Sequence, residues 1–178
     1  MEGTKAEGFV FQERTVKPTF DEVSELLAYD ATTGRLTWRV SRCNVKAGSA
    51  AGTSCKDGYV RIRILGTSYG AHRVCWLLAH GQWPTHDVDH INGDRADNRL
   101  LNLRDVPRGI NLQNQRRATS QNKSSRLLGA HYFKPANLWR SRIVVRGVSH
   151  DLGYFKTSVE AQEAYVAAKR RLHEGCTL

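Results

Sequence analysis

The sequence predicts an α+β chain built from small antiparallel sheets with helices packed beside them. Three observations lead there. Apolar residues alternate with polar ones over short runs at 35–40, 60–65 and 139–146, the spacing of half-buried strands. Thr19 with Glu22, and Thr157 with Glu160, each form a capping-box signature ahead of residues with helical spacing. Residues 115–125 are polar and basic with no apolar period, which reads as a linker dividing the chain. The expected layout is a leader at 1–17, an N-terminal small sheet module and a two-strand-plus-helix core within 18–114, a linker at 115–128 and a final unit at 129–175. That final unit reads as a three-stranded antiparallel sheet with one packed helix.

In order along the chain, the first helix places Phe20, Val23, Leu26 and Leu27 on one face. It ends in the Asp-, Thr- and Gly-rich turn of residues 29–34. In the next strand Leu36, Trp38 and Val40 face one way, with Arg35, Thr37 and Arg39 opposite. After a small-residue loop, Val60, Ile62 and Ile64 oppose Tyr59, Arg61 and Arg63. One sheet carrying Arg35, Arg39, Arg61 and Arg63 on an open face would suit a phosphate backbone; a solvated polar face is the bland alternative. Residues 73–80 read as a buried helix stopped by Gly81, and Pro107 opens another. Beyond the linker, strands are expected at 129–133, 139–146 and 150–155. The helix that follows carries Ala161, Ala164, Tyr165, Ala168 and Leu172. Phe155, Tyr165 and Ala168 are expected in its core.

Composition narrows the function classes. The net charge of +10 and pI near 9.8 point to a polyanionic partner, and the excess is uneven. Residues 115–178 hold 12 basic against 4 acidic side chains, whereas the preceding stretch is nearly balanced. Four cysteines (Cys43, Cys55, Cys75, Cys176) form no Cys-x-x-Cys pair, so neither a zinc knuckle nor a disulfide framework is expected. No apolar run reaches membrane-spanning length and no signal-peptide core is present, so a soluble cytoplasmic protein without membrane contact is expected. No heptad or dimer stripe appears, and a monomer is expected.

The densest stretch is Val88-Asp89-His90-Ile91-Asn92-Gly93-Asp94 through Asn98, Asn102-Leu103-Arg104 and on to Asn111. The Asp89 carboxylate and the Asn111 amide oxygen are hard oxygen ligands of the kind Mg²⁺ or Mn²⁺ takes. A neutral imidazole at His90 can accept a proton from water near pH 7. Asn102 shuttles no proton, but its amide can bond across the long loop and steady His90. Asp94 and Asp97 read as loop-forming residues, and Asn114 as a partner of backbone or DNA. His80 and His86 read as surface residues. Together these types suggest hydrolysis of a DNA phosphodiester with one divalent ion.

The run Asp-His-Ile-Asn-Gly-Asp, Asp-Asn-Arg, Asn-Leu-Arg and a closing Asn resembles the HNH endonucleases, in particular the phage and intron-encoded homing type. The resemblance implies a ββα-metal unit with Asp89 as first metal ligand, His90 as general base, Asn102 as the central brace and Asn111 as the helical ligand. Family members often carry His at the last position; Asn111 there favours Mg²⁺ or Mn²⁺ over zinc and leaves open whether one strand or both are cut. His72, ahead of the buried helix, also recurs in these enzymes. It could assist at the scissile phosphate or be a structural, hydrogen-bonded His. The segment Tyr29-Asp30-x-x-Thr33-Gly34-x-Leu36-Thr37-Trp38 is similar to the module that precedes such sites in phage enzymes, which strengthens the expectation of DNA contact there.

Residues 126–174 resemble the ethylene-response-factor (APETALA-like) DNA-binding domain. The carriers are Gly129-x-His131, Trp139-x-Ser141-x-Ile143, Leu152-Gly153-Tyr154-Phe155 and Glu160-Ala161 with Ala164-Tyr165. The resemblance implies a sheet laid in the major groove of double-stranded DNA, with Trp139, Arg140, Arg142 and Arg146 as contacts. Arg116, Arg117 and Lys123 of the linker would adhere to phosphates. The combined expectation is a homing-type, mismatch-tolerant HNH endonuclease gripping an extended target through separated modules. The alternatives are a DNA-binding regulator with a vestigial nuclease motif, and a nuclease acting on RNA.

Overall fold

The protein is described by a computed structural model covering residues 16–42 and 44–178; the expected leader lies almost wholly outside the described residues, as does Cys43. The chain forms two compact units. The first runs to Trp83 and includes Asn98–Leu100; the second comprises Pro84–Asp97 and Leu101–Leu178. These bounds differ from a division at 115–128. Backbone and side-chain hydrogen bonds tie the segment after residue 114 into the second unit, so it is not a free tether.

In the first unit α1 (Phe20–Leu26) opens on a complete capping box: the Thr19 hydroxyl accepts from Glu22 N at 3.3 Å, and the Glu22 carboxylate accepts from Thr19 N at 2.9 Å. The helix stops one residue earlier than its apolar spacing suggests. Leu27 is extended and begins β1 (Leu27–Asp30), which pairs antiparallel with β2 (Arg35–Trp38). Fully burying Leu27 opposite Trp38 outweighs one more helical residue. The turn between them is locked by Asp30, whose carboxylate accepts from Thr33 Oγ1 at 2.7 Å and Thr32 N at 2.9 Å. Those bonds hold the Asp30 carboxyl below the usual carboxylate range. Gly34, at φ +76°, ends the turn where a Cβ would strike the backbone of Asn98 and Arg99.

Strands β3 (Thr53–Ser54), β4 (Val60–Ile64) and β5 (Thr67–Gly70) make a separate three-stranded antiparallel sheet. The single arginine-bearing sheet expected from sequence is therefore two: Arg35 begins β2 in one, Arg61 and Arg63 sit in the other, and one bridge, Thr37 to Ala50, joins β2 to the loop after it. Helix α2 (Ala71–His80) buries Val74, Cys75 and Leu77 and stops at Gly81, φ +75°. Val23, Leu27, Leu36, Ile62 and Ile64 complete the core. Burial pushes the Cys75 thiol up to about 12.

In the second unit β6 (Asp87–His90) and β7 (Leu103–Val106) form a hairpin, followed by α3 (Arg108–Gln113) with Pro107 at its cap. Then β8 (Ala130–Phe133), β9 (Leu138–Val145) and β10 (Val148–Phe155) make an antiparallel sheet in the order β10-β9-β8, and α4 (Ser158–Leu172) packs on it. This mixture of helices with small antiparallel sheets agrees with the α+β expectation. Arg146 is not a strand residue: with Gly147 it forms the two-residue β9–β10 turn, both at positive φ (+49° and +82°). Strand alternation sets Ser141 and Ile143, both buried, towards α4, and Trp139 shares their face. Arg140 and Arg142 point to the opposite face, so Trp139 is separated from the arginines with which it was grouped.

The segment after α3 is knit together rather than extended. Asn122 Nδ2 donates to Leu127 O at 2.8 Å and Ala130 O at 3.2 Å, while the Ser125 hydroxyl donates to Ala130 O at 2.7 Å. Gly129, φ +76°, packs directly against Tyr165, where any Cβ would overlap the aromatic carbons. Lys169 of α4 is 1% exposed and its ammonium donates to Gln115 O. Among the described residues no helix is long and apolar enough to cross a membrane.

Candidate active site

The site grows out of the β6–β7 hairpin. Its register sets Asp89 opposite Arg104 and His90 opposite Leu103, so Asp89 faces a guanidinium across the ladder. Asp89 is 8% and His90 4% exposed, both at the end of β6, where the strand gives way to the long connection. A buried carboxylate needs partners. Asp89 Oδ2 accepts from Arg104 Nε at 2.9 Å and Nη2 at 2.7 Å, and from Asn114 Nδ2 at 3.1 Å. Asn114, 5% exposed, also donates to Asp89 Oδ1 at 3.2 Å and to His90 O at 2.9 Å.

The long connection leaving His90 is held by carboxamides. Asn102 spans it, its Oδ1 accepting from Asn92 N at 2.9 Å and its Nδ2 donating to Asp97 O at 2.7 Å. Ile91 N donates to Asn102 O at 2.8 Å, extending the hairpin past its last ladder pair. Asn92 and Asp94 close turns on the backbone nitrogens of Asp94 and Ala96.

Asn111, on the second turn of α3, meets β6 at a different acid: its Nδ2 donates to Asp87 Oδ2 at 3.2 Å. Asp87 and Asp89 alternate onto the same strand face, so two carboxylates and the Asn111 amide line the side of the hairpin that α3 covers. The pairing of Asn111 with Asp89 expected from sequence is not a direct one here. Asp87, Arg104 and Asn114 complete the cluster. Arg104 was open to discovery from the hairpin register, since an acid and a base sit equally far from the loop ends. Asp87 carried no sequence signal separating it from a surface acid. Among the described residues no group of three or more His, Cys, Asp or Glu side chains forms a metal cage. A donor set of carboxylates and a carboxamide oxygen nonetheless fits a hard divalent cation in type.

His72 belongs to the first unit, packed against Gly70 and with its ring 5.3 Å from that of Tyr59. His80 stacks on Trp76 at 4.1 Å, and His86 Nδ1 lies 3.6 Å from Asp105. The basic candidates divide. Arg39 Nε is turned to Leu27 O at 3.1 Å, Arg63 Nε to Gly66 O at 3.0 Å, and Arg116 Nη2 to Ile91 O at 3.0 Å. Arg61 pairs with Asp57 at 2.9 Å, Arg140 Nε donates to Asp151 at 2.9 Å, and Arg146 pairs with Glu174 at 2.9 Å. Arg35, Arg117, Lys123 and Arg142 are exposed.

Residues 69–113 match the family model of the HNH endonucleases. The matched stretch runs from β5 through α2 and the hairpin to the end of α3, and so holds His72, Asp89, His90, Asn102 and Asn111. A search of curated proteins finds no match. A solved structure described as "DNA binding and cleavage by the HNH homing endonuclease I-HmuI" overlaps 84% of this chain and 88% of its own, at 22% identity and a TM-score of 0.41.

Proposed function

We propose that the protein is a metal-dependent DNA endonuclease of the HNH homing type, with the β6–β7–α3 unit as its catalytic core. The single observation that carries the reading is the family match over residues 69–113, on a segment whose Asp89, His90 and Asn102 cluster at one end of a hairpin. In this reading Asp89 and Asn111 hold the ion, with Asp87 beside them. When bound, a divalent cation offsets the negative charge that builds on the phosphate and the departing 3′ oxygen. His90 takes the proton from the attacking water at a ring nitrogen. Asn102 keeps the loop after His90 from swinging, which holds the imidazole at one angle. Arg104 and Asn114 keep the Asp89 carboxylate aimed.

The β8–β10 sheet is the proposed DNA-reading surface, with Arg140 and Arg142 on its open face. Arg117 and Lys123 supply further phosphate contacts, and separated grips would tolerate scattered mismatches. Supercoiled plasmid incubated with Mg²⁺, with EDTA, and with the His90→Ala variant tests the nuclease reading. Nicking that needs Mg²⁺ and falls by about 10²–10⁴-fold in the variant is expected. Equal cutting by variant and wild type would overturn it. One observation favours a second reading, a DNA-binding regulator with a silent motif: the Asp89 carboxylate is already neutralised by Arg104. Tight DNA binding with no cutting at any Mg²⁺ or Mn²⁺ concentration would select it, and cutting of RNA in preference to DNA would select an RNA-acting nuclease.

A further inference from the structure

We propose that the segment Gly175–Thr177 belongs to the active site, with Thr177 as a positioning residue that sets the Asn114 amide and, through it, the Asp89 carboxylate. The inference rests on the nuclease reading and adds to it a component far from the motif in sequence.

The observations are these. Among the described residues Asp89 has two side-chain partners, Arg104 and Asn114, and the tail after α4 bonds to both. Arg104 Nη2, while donating to Asp89, also donates to Gly175 O at 2.8 Å. Asn114 Oδ1 accepts from the Thr177 hydroxyl. That hydroxyl also reaches Ile91 O at 2.5 Å and accepts from Arg116 Nη2 at 2.7 Å, and Arg116 donates to Thr177 O at 2.8 Å. The tail is seated closely. Gly175 N donates to Gln113 Oε1 at 2.9 Å, and a Cβ on Gly175 would overlap the Ile110 carbonyl oxygen of α3.

A carboxamide has one donor end and one acceptor end, and a half-turn exchanges them. Around Asn114 the Asp89 carboxylate and the His90 carbonyl accept only, so its NH₂ must face them. The turned-over amide would set three acceptors against an oxygen. Its Oδ1 then needs a donor on the far side, and the Thr177 hydroxyl supplies one. Arg116 donates into the same hydroxyl oxygen, so the single Thr177 proton points away from it. Of the two acceptors within reach, Ile91 O already accepts from Arg116 Nη2 at 3.0 Å, which leaves the proton to Asn114 Oδ1. The chain Arg116 to Thr177 to Asn114 to Asp89 thus runs donor to acceptor throughout. It aims the carboxylate and steadies the His90 carbonyl from one point. Because the tail continues from α4 through a turn closed by Cys176 N to His173 O at 3.0 Å, the helix of the final sheet unit ends inside the site it serves.

The test uses the full chain with Thr177→Val, which keeps the shape and removes the hydroxyl, and Thr177→Ser, which keeps the hydroxyl. Thr177→Ala serves the same comparison if the second methyl of valine disturbs the fold. The first readout is hydrogen exchange of the Asn114 side-chain amide protons by NMR, which does not depend on activity. Exchange should quicken at least about tenfold in Thr177→Val and return to the wild-type rate in Thr177→Ser. The second is Mg²⁺-dependent plasmid nicking: kcat should fall about 10–100-fold, as for other groups that orient a metal ligand, with KM for DNA unchanged and serine restoring the rate. Unchanged Asn114 exchange in Thr177→Val overturns the proposal, as does a fall in kcat that serine fails to restore. If wild-type protein does not cut at all, the nuclease reading has failed, and the exchange rates alone decide the positioning role.

Discussion

Replacing Asn114 by Leu tests the centre of the cluster. The side chains share branching and heavy-atom count, so the change removes polarity; the bulkier methyl groups add any overpacking on top of that loss. The Asn114 side chain makes one charge-assisted interaction, with Asp89 at 3.1–3.2 Å, and two neutral hydrogen bonds, one to His90 O at 2.9 Å and one accepted from the Thr177 hydroxyl. The first is worth about 1.5–3 kcal/mol and each of the others about 1 kcal/mol. Arg104 remains on Asp89, so the acid is not stranded and the loss of polarity should cost near the simple sum, about 3.5–5 kcal/mol. At about 4–8 °C per kcal/mol for a unit of this size, Tm should fall by roughly 15–40 °C. Calorimetry or circular dichroism melts at pH 7 read this directly. A double-mutant cycle sharpens it: in the Asn114→Leu background, Thr177→Val should cost far less than in wild type, with a coupling of roughly 0.5–3 kcal/mol. A loss below about 1 kcal/mol for Asn114→Leu, or additive effects of the two changes, would refute the assignment of Asn114 as the bridge.

Three further outcomes are expected. Gly129→Ala combines a left-handed backbone, worth about 1–2 kcal/mol, with overlap on the Tyr165 ring; an urea midpoint unchanged from wild type would contradict it. Lys169 has its pKa lowered, by burial first and by Arg116 as well, with Cys176 opposing. Between that lowered value and the ordinary one, the unfolded chain binds more protons, so stability should rise with pH through this window on the Lys169 account. Lys169→Met should remove that rise and leave stability at pH 7 equal or higher; an undiminished rise in the variant, measured by denaturant melts, would count against it. Arg142→Ala should weaken binding to duplex DNA of any sequence and reduce the slope of log K against log[salt] by about 1; an unchanged slope would remove Arg142 from the interface.

What the sequence determined by itself was whatever depends on neighbours along the chain. Thr19 with Glu22 and Thr157 with Glu160 cap their helices because three residues bring hydroxyl and carboxylate onto each other's backbone nitrogens. Gly81 stops α2, and alternation marks β2, β4 and β9, because helix and strand periods are local properties. That Asp89, His90, Asn102 and Asn111 are neighbours was also legible, since they lie within one hairpin and the following helix. Tertiary structure decided the rest. Leu27 became a strand residue through its pairing with Trp38, and the arginines of the first unit separated onto two sheets. Asn111 went to Asp87, and Asn114 took Asp89. Arg116, read as a phosphate contact, turned inward to Ile91 O and Thr177. Thr177 reached Asn114 across 63 residues, a partnership no local pattern announces. The side-chain partnerships at Asn111, Asn114, Arg116 and Thr177 are made where a polar group leaving water must find a partner, and which partner is within reach depends on how distant segments pack.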